Sequence, residues 1–497
     1  MTLTDIALFA LIAFCIPLLL TGRGRAWAMC AVSIMAIFWL QPPLPVRWLD
    51  FTLPAVTLGL VIVVWRLTLS RKTQQASVET PYPRLWQSQD YVALTLAIGI
   101  TGVLALARDV PFIQQWQVTT RPPELRFVVI GIGLFLCLLL LLSTRARPQT
   151  PLPERRDRGR WIAIIIIGLL VILKTDALAV FVAAGWRTLS VQDTSLASAL
   201  DIRWLGFSYV AFRLIHMLRD AQLGTLPALS LRDTITYVLF FPAYTAGSID
   251  RAERFLKDVE TWPSLPRWDA DRVGRGGLRI ARGLFRKFVL SSLLSMVALN
   301  PAHAMQVQSA PALWLMLYAY AFYLYFDFSG YTDIAIGIGI LAGVTLPENF
   351  DRPYTKHTIA LFWQSWHRTL SDWVRFYVYS PLSRALLKRK PKPPTDLVIA
   401  ICNIVTMLII GLWHGVTAAF VIWGLWHALA LFIHKMWSDR TRKAYIKLKA
   451  EPARLRLWTY AGMFITFHVV VLAWVWFALP DAVMALRILG RLFGLGW

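Results

Sequence analysis

Apolar runs long enough to cross a bilayer recur along this chain, and no other feature limits its possible folds as tightly. A membrane helix needs roughly 20 predominantly apolar residues. Runs approaching that length lie near 4–20, 26–41, 50–69, 91–108, 126–143, 161–185, 278–299, 311–326, 331–346, 397–412, 415–434 and 456–478. Shorter or more polar candidates lie near 202–217, 233–246 and 481–495. Only 16% of the 497 residues are charged, against about 25% in a soluble chain, and mean hydropathy is +0.55. The expectation is an all-α polytopic membrane protein with about 12–14 membrane helices and additional interfacial helices.

The first five residues, Met1 to Asp5, carry no basic side chain, and no small-residue cleavage site is clear, so the first run is expected as a retained helix. Cys15, Cys30, Cys137 and Cys402 all fall in apolar spans without a CxxC pair; they are expected as buried small side chains rather than disulfide or zinc ligands. The net charge of +23 is concentrated at Arg23/Arg25, Arg66/Arg71/Lys72, Arg145 to Arg160, Arg251 to Lys287, Arg384 to Lys392 and Lys435 to Arg456. Connections 42–46, 109–120, 187–201 and 300–312 are nearly free of Lys and Arg. The positive-inside rule makes the basic set cytoplasmic and the N-terminus external. Charge of this kind is expected to set topology and to attract anionic lipid. No separate basic soluble domain exists, which argues against nucleic acid as a partner.

The Pro-interrupted stretch from Arg145 to Arg160 marks the best boundary, dividing N-terminal helices (1–150, a scaffold) from a chemical core (151–497). Within the core, Leu412-Trp413-His414-Gly415 sets a titratable ring between two apolar runs. Ionisable residues at bilayer depth are costly and tend to be functional, and imidazole exchanges a proton near neutral pH. Gly415 permits close approach of a backbone or a substrate. Trp413, Trp423 and Trp426 could line an aromatic passage or anchor an interface.

From Thr358 to Tyr379 the residues Ile359, Phe362, Trp363, Trp366, Leu370, Trp373, Val374 and Tyr377 recur at helical spacing, opposite Gln364, Arg368, Ser371, Asp372 and Arg375. One amphipathic helix is expected, capped by Thr358, stopped by Pro381, with His367 on its polar face. The run YLYFDFSGYTD (323–333) places Asp327, Ser329, Tyr331 and Asp333 in apolar sequence; Gly330 allows a break that would turn both carboxylates into one cavity. His427 and His434 lack ligand partners at metal spacing. His427 is expected to bond another helix and His434 to face headgroups. His216, His303, His357 and His468 have no supporting constellation and read as structural.

Six stretches in order then carry a resemblance: LGFSYVAFRLIHMLRD (205–220), YVLFFPAYTAGSIDRAERF (237–255), LYFDFSGYTDIAIGIGIL (324–341), PENFDRPY (347–354), FWQSWHRTLSDWVRFYVY (362–379) and GLWHGVTAAFVIWGLWHAL (411–429). Over roughly 161–497 the chain resembles membrane-bound O-acyltransferases (MBOAT), in the bacterial branch of alginate O-acetyltransferases and teichoic acid D-alanyl transferases. It departs at Ser248, where the family usually has Pro, and at Phe376, which follows Arg375 where Arg-Asp is common.

The resemblance implies an MBOAT-like helical bundle with a central funnel or tunnel. It implies His414 and His367 as catalytic residues, with Asp327, Ser329, Tyr331, Asp333, Trp366, Arg375, Trp413 and Gly415 around the cavity. The implied reaction moves an acetyl or D-alanyl group from a cytoplasmic thioester to a hydroxyl of a cell-surface polymer or to a partner protein. The donor, acyl-CoA or an acyl-phosphopantetheine carrier protein, is a substrate, and no bound cofactor or metal is needed. Some of the basic residues would then meet a phosphate-bearing donor or an acidic carrier. Membrane lipids and a secreted SGNH-type acyltransferase are the other implied partners, and the bacterial cytoplasmic (inner) membrane is the implied location, multi-pass. The competing class is a polymer or lipid transporter or flippase without covalent chemistry, although no internal repeat is visible.

Overall fold

The computed structural model describes residues 2–69, 86–108, 110, 122–144 and 152–495. Arg71 and Lys72, nearly all of the 109–120 connection and the first part of the charged 145–160 stretch lie outside the described residues. The described chain is helical, with no strand among the described residues. Among the described residues, six helices are long and apolar enough to cross a membrane: Leu49–Thr68, Ser88–Leu106, Leu125–Leu142, Thr395–His414, Ala418–Leu448 and Pro452–Ala478. The expected 161–185 span is instead a pair of helices bent by 97°.

This count is lower than the 12–14 apolar runs suggested. Hydropathy windows do not see helix ends. The runs near 202–217, 233–246 and 481–495 become helices Phe207–Leu223, Leu231–Val238 and Ala482–Leu492. The two runs at 311–326 and 331–346 merge into one helix, Ala310–Leu341.

One compact unit comprises Met1–Leu278 with Ala335–Leu346. Its first helix opens with a reciprocal cap: the Thr2 hydroxyl accepts from the Asp5 amide while the Asp5 carboxylate accepts from the Thr2 amide. Arg25 is buried and donates to the carbonyls of Pro17, Leu20, Trp262 and Leu265. Arg213 is likewise buried and donates to the carbonyls of Val238, Ala243 and Ser248. A buried charge is tolerable only when its donors are used, so Arg25 holds loops together where topology or lipid contact was the expectation.

His216, expected to have no supporting constellation, has one, built from Asp220 one turn on along its own helix and from Tyr237. Its Nε2 lies 2.9 Å from Asp220 Oδ2 and its Nδ1 lies 3.0 Å from the Tyr237 hydroxyl. Tyr237 donates its own proton to the Asp250 carbonyl at 2.7 Å. Of the cysteines, Cys30 and Cys402 are buried and Cys15 is half-buried, but Cys137 is exposed on an apolar helix.

The second unit comprises Arg279–Ile334 and Pro347–Trp497. Ala310–Leu341 runs unbroken through Gly330, correcting the expected break. Gly330 instead serves close packing: a Cβ there would lie 2.9 Å from the Gly283 carbonyl oxygen. Thr395–His414 and Ala418–Leu448 form a hairpin in which a Cβ on Gly411 would meet the Phe420 carbonyl at 2.5 Å and one on Gly424 the Met407 carbonyl at 2.8 Å. Small residues of this kind let membrane helices approach closely. Trp426 then donates to the Val469 carbonyl at 3.0 Å, tying the hairpin to Pro452–Ala478.

The expected amphipathic helix is broken in two. Thr358 caps Ile359–Trp363 as anticipated, accepting from the Leu361 amide. The Ser365 hydroxyl donates to the Leu361 and Phe362 carbonyls, and the Arg368 amide turns away to donate to the Asn349 carbonyl at 2.9 Å. The helical ladder thus runs on to the Trp366 amide, which donates to the Phe362 carbonyl at 2.8 Å, and a loop partner takes over beyond it. A new helix starts at Arg368–Val374, passes through a π-helical stretch, Arg375–Tyr379, and continues as Ser380–Leu387. Pro381 therefore lies in the first turn of a helix, where its missing N–H costs nothing, and is not a stop.

Candidate active site

His414 is the last residue of Thr395–His414, and Gly415 carries the chain out in an extended conformation. The ring is half-buried. Its centroid lies 4.6 Å from Trp413, 4.8 Å from Phe477, 5.8 Å from Phe420 and 5.9 Å from Trp423. A Cβ on Gly415 would stand 2.9 Å from the Phe420 ring. The space beside that glycine is therefore occupied by an aromatic side chain that also stacks on the histidine.

His367 sits at the break between the two short helices. Its φ of 43° is left-handed, an uncommon state for a non-glycine residue that clusters at functional sites. The residue is 3% exposed, not on a solvated polar face; Gln364, Arg368, Asp372 and Arg375 do face outward. Its Nε2 is buried without a hydrogen-bond partner among the described residues. Phe328 packs edge-on at 4.7 Å and Trp413 at 6.0 Å. The segment lies outside the long apolar spans, and burial pushes its pKa down from 6.5 to about 3. Burial thus keeps the ring neutral.

Asp333 is buried and meets three guanidinium groups from one helical face. Arg282 donates to both carboxylate oxygens at 3.0 Å, Arg286 donates at 2.8 Å, and Arg279 Nε stands 2.6 Å away. Glu348 pairs with Arg279 at 2.5 Å. These groups line a cavity of about 180 Å³ together with Tyr325, Ser329, Thr332, Phe350, Asp351 and Arg352. Arg352, like His367, is left-handed, with φ 46°.

The other expected residues are distributed unevenly. Asp327 faces Lys287 at 2.5 Å, on the same neighbouring helix but away from the arginine cavity, and Tyr331 is buried with Lys287 5.9 Å over its ring. Trp366 is buried among Phe350, Phe362 and Trp474. Arg375 is exposed and contacts Asp372 and Phe376, neither of which joins the histidines or the cavity. His427 does not bond another helix: both ring nitrogens lack hydrogen-bond partners among the described residues. Its ring sits edge-to-face on Trp363 at 5.0 Å and Trp423 at 4.8 Å. No group of three or more His, Cys, Asp or Glu residues suited to a metal occurs among the described residues.

Sequence reasoning missed Arg279, Arg282, Arg286 and Arg352 as cavity residues. The only signal was the i, i+3, i+7 spacing of the first three, which places them on one helical face.

Comparisons with known proteins agree with this architecture. A model of MBOAT, the membrane-bound O-acyltransferase family, matches residues 177–476. The chain is similar to a teichoic acid D-alanyltransferase of Streptococcus thermophilus, 32% identical over 299 residues, 58% of this chain and 71% of that protein. It is similar to a "Probable alginate O-acetylase AlgI" of Pseudomonas syringae, 31% identical over 346 residues, 68% of this chain and 61% of that protein. A peptidoglycan O-acetyltransferase of Helicobacter pylori is 34% identical over 266 residues, 53% of this chain and 47% of that protein. With three-fifths of its length matching the family model, across the segment that carries both histidines, this multi-pass membrane chain belongs to the membrane-bound O-acyltransferase family.

Proposed function

We propose that this protein transfers an acyl group, acetyl or D-alanyl, from a cytoplasmic thioester to a hydroxyl presented on the other side of the bacterial cytoplasmic membrane. The acceptor is a cell-surface polymer or a secreted SGNH-type partner that completes the transfer. The observation that carries this reading is the placement of His367 and His414 on the same indole, Trp413, one ring buried and the other half-open.

His414 accepts the proton of the acceptor hydroxyl. The oxygen forms a bond to the thioester carbonyl carbon, the carbon–sulfur bond breaks, and the imidazolium returns the proton to the departing thiolate. General-base assistance of this kind typically contributes about 10² to 10⁴-fold. His367, neutral and desolvated, orients a reactant near Trp413. Coenzyme A and a phosphopantetheinylated carrier protein both supply the required thioester as substrates.

The test is transfer of labelled acetyl and D-alanyl groups by the full chain in proteoliposomes, with and without polymer acceptor. Mass spectrometry of surface glycans from cells with and without the protein provides the second readout. An ester that depends on the protein and disappears with His414→Ala supports the reading. Ester levels unchanged by that substitution, at equal protein abundance, overturn it.

A further inference from the structure

We propose that the cavity around Arg282, Arg286 and Arg352 seats a phosphate ester. On the acyl-transfer reading above, on which this assignment rests, the ester is the phosphate of the donor's carrier arm.

The charge balance points to an anion. Asp333 is already met by three guanidinium groups, Glu348 by Arg279, and Asp351 by Lys356. Arg352 makes no side-chain hydrogen bond or ion pair among the described residues, yet its backbone is held left-handed at the cavity wall. The Ser329 hydroxyl is buried at the same cavity with no hydrogen-bond partner among the described residues. A phosphate uses this set of donors well, because guanidinium forks match its oxygens and a hydroxyl fills a remaining position. Asp333 keeps the arginines extended and aligned before the ligand arrives, which lowers the ordering cost of binding.

The location also fits a donor that is anionic at one end and reactive at the other. Phe350, in the cavity wall, packs 5.1 Å from Phe328, and Phe328 packs 4.7 Å from His367. Trp413 follows, then His414. A row of packed rings thus connects the wall of the arginine cavity with both histidines.

The test uses non-transferable thioether analogues of acetyl-phosphopantetheine and acetyl-pantetheine, which differ only in the phosphate. Binding to the full chain is measured by calorimetry in neutral detergent. The wild type is expected to prefer the phosphorylated arm by at least about tenfold. Arg286→Gln is expected to bind both arms alike. Arg352→Gln loses no pairing, and Ser329→Ala removes a single hydroxyl; both therefore test the site without stranding Asp333, and each is expected to shrink the preference.

A wild type with no preference, or a preference intact in all three variants, overturns the proposal. Nanodiscs of phosphatidylglycerol and of phosphatidylcholine separate the second source of phosphate. If phosphatidylglycerol occupies the arginines and the arm's phosphate adds nothing, the donor assignment is overturned. The two readings fail separately: His414→Ala is expected to retain the phosphate preference and lose turnover. A preference without any acyl transfer defeats the proposed function alone, and transfer without a preference defeats this assignment alone.

Discussion

Gly283 and Gly330 meet backbone to backbone. A methyl on Gly283 would lie 2.6 Å from the Gly330 carbonyl oxygen, and one on Gly330 would lie 2.7 Å from the Lys287 amide nitrogen. This contact sets the register in which Arg282 and Arg286 reach Asp333 while Lys287 reaches Asp327.

Gly330→Ala is therefore expected to destabilise the protein by roughly 1–3 kcal/mol through overpacking, although alanine is the better helix former. Thermal unfolding in detergent checks the sign. A more stable Gly330→Ala variant would mean that the crossing has room to spare.

His414→Ala is expected to lower acyl transfer by about 10² to 10⁴-fold at normal membrane abundance. His427→Ala should affect chemistry far less and stability more, because that ring is wholly buried among tryptophans. Rates and melting temperatures of the two variants, measured side by side, distinguish the roles.

His367 links stability to pH. Its pKa is 6.5 when unfolded and about 3 when buried, so below about pH 6.5 the unfolded chain binds the extra proton. Stability contributed by the neutral ring is full above that pH and falls with acidification, by up to about 1.4 kcal/mol per pH unit. His367→Asn retains a residue tolerant of the left-handed backbone and removes this titration. Melting temperatures at pH 7.5 and 5.5 should drop more for the wild type than for the variant; equal drops would assign the acid sensitivity elsewhere.

Gly415→Ala forces a methyl against the Phe420 ring, 2.9 Å away in the present packing. The ring can tilt, but it stacks on His414. A displacement approaching 1 Å at a catalytic group costs up to about 10²-fold. The expected outcome is a normally folded protein with reduced transfer, visible as a fall in kcat at unchanged abundance.

Tyr237→Phe removes a hydroxyl that donates to the Asp250 carbonyl and contacts His216 Nδ1. Stranding buried polar groups costs about 1–3 kcal/mol. The melting temperature should fall, while the phosphate preference proposed for the arginine cavity stays unchanged.

Much of the helical and membrane character was legible in the sequence, because apolar run length and charge density act locally. His414 stands out as a candidate for the same reason: a titratable ring between two apolar runs needs no partner to be conspicuous. The Thr358 cap followed from a residue type and its offset to the helix.

What tertiary structure alone decided depends on partners distant in the chain. The helix expected over 358–379 breaks because Asn349 captures the Arg368 amide, and no local pattern announces that competition. Gly330 reads as a potential break until Gly283 is seen against it. Three arginines in a basic stretch look like a solvated or lipid-facing surface until Asp333, about 50 residues later, gathers them around a cavity. Local sequence sets what each segment can bury and which side chains can carry charge. Which charges converge, and where the backbone yields, is settled by contacts across the fold, whose free energy exceeds any local preference.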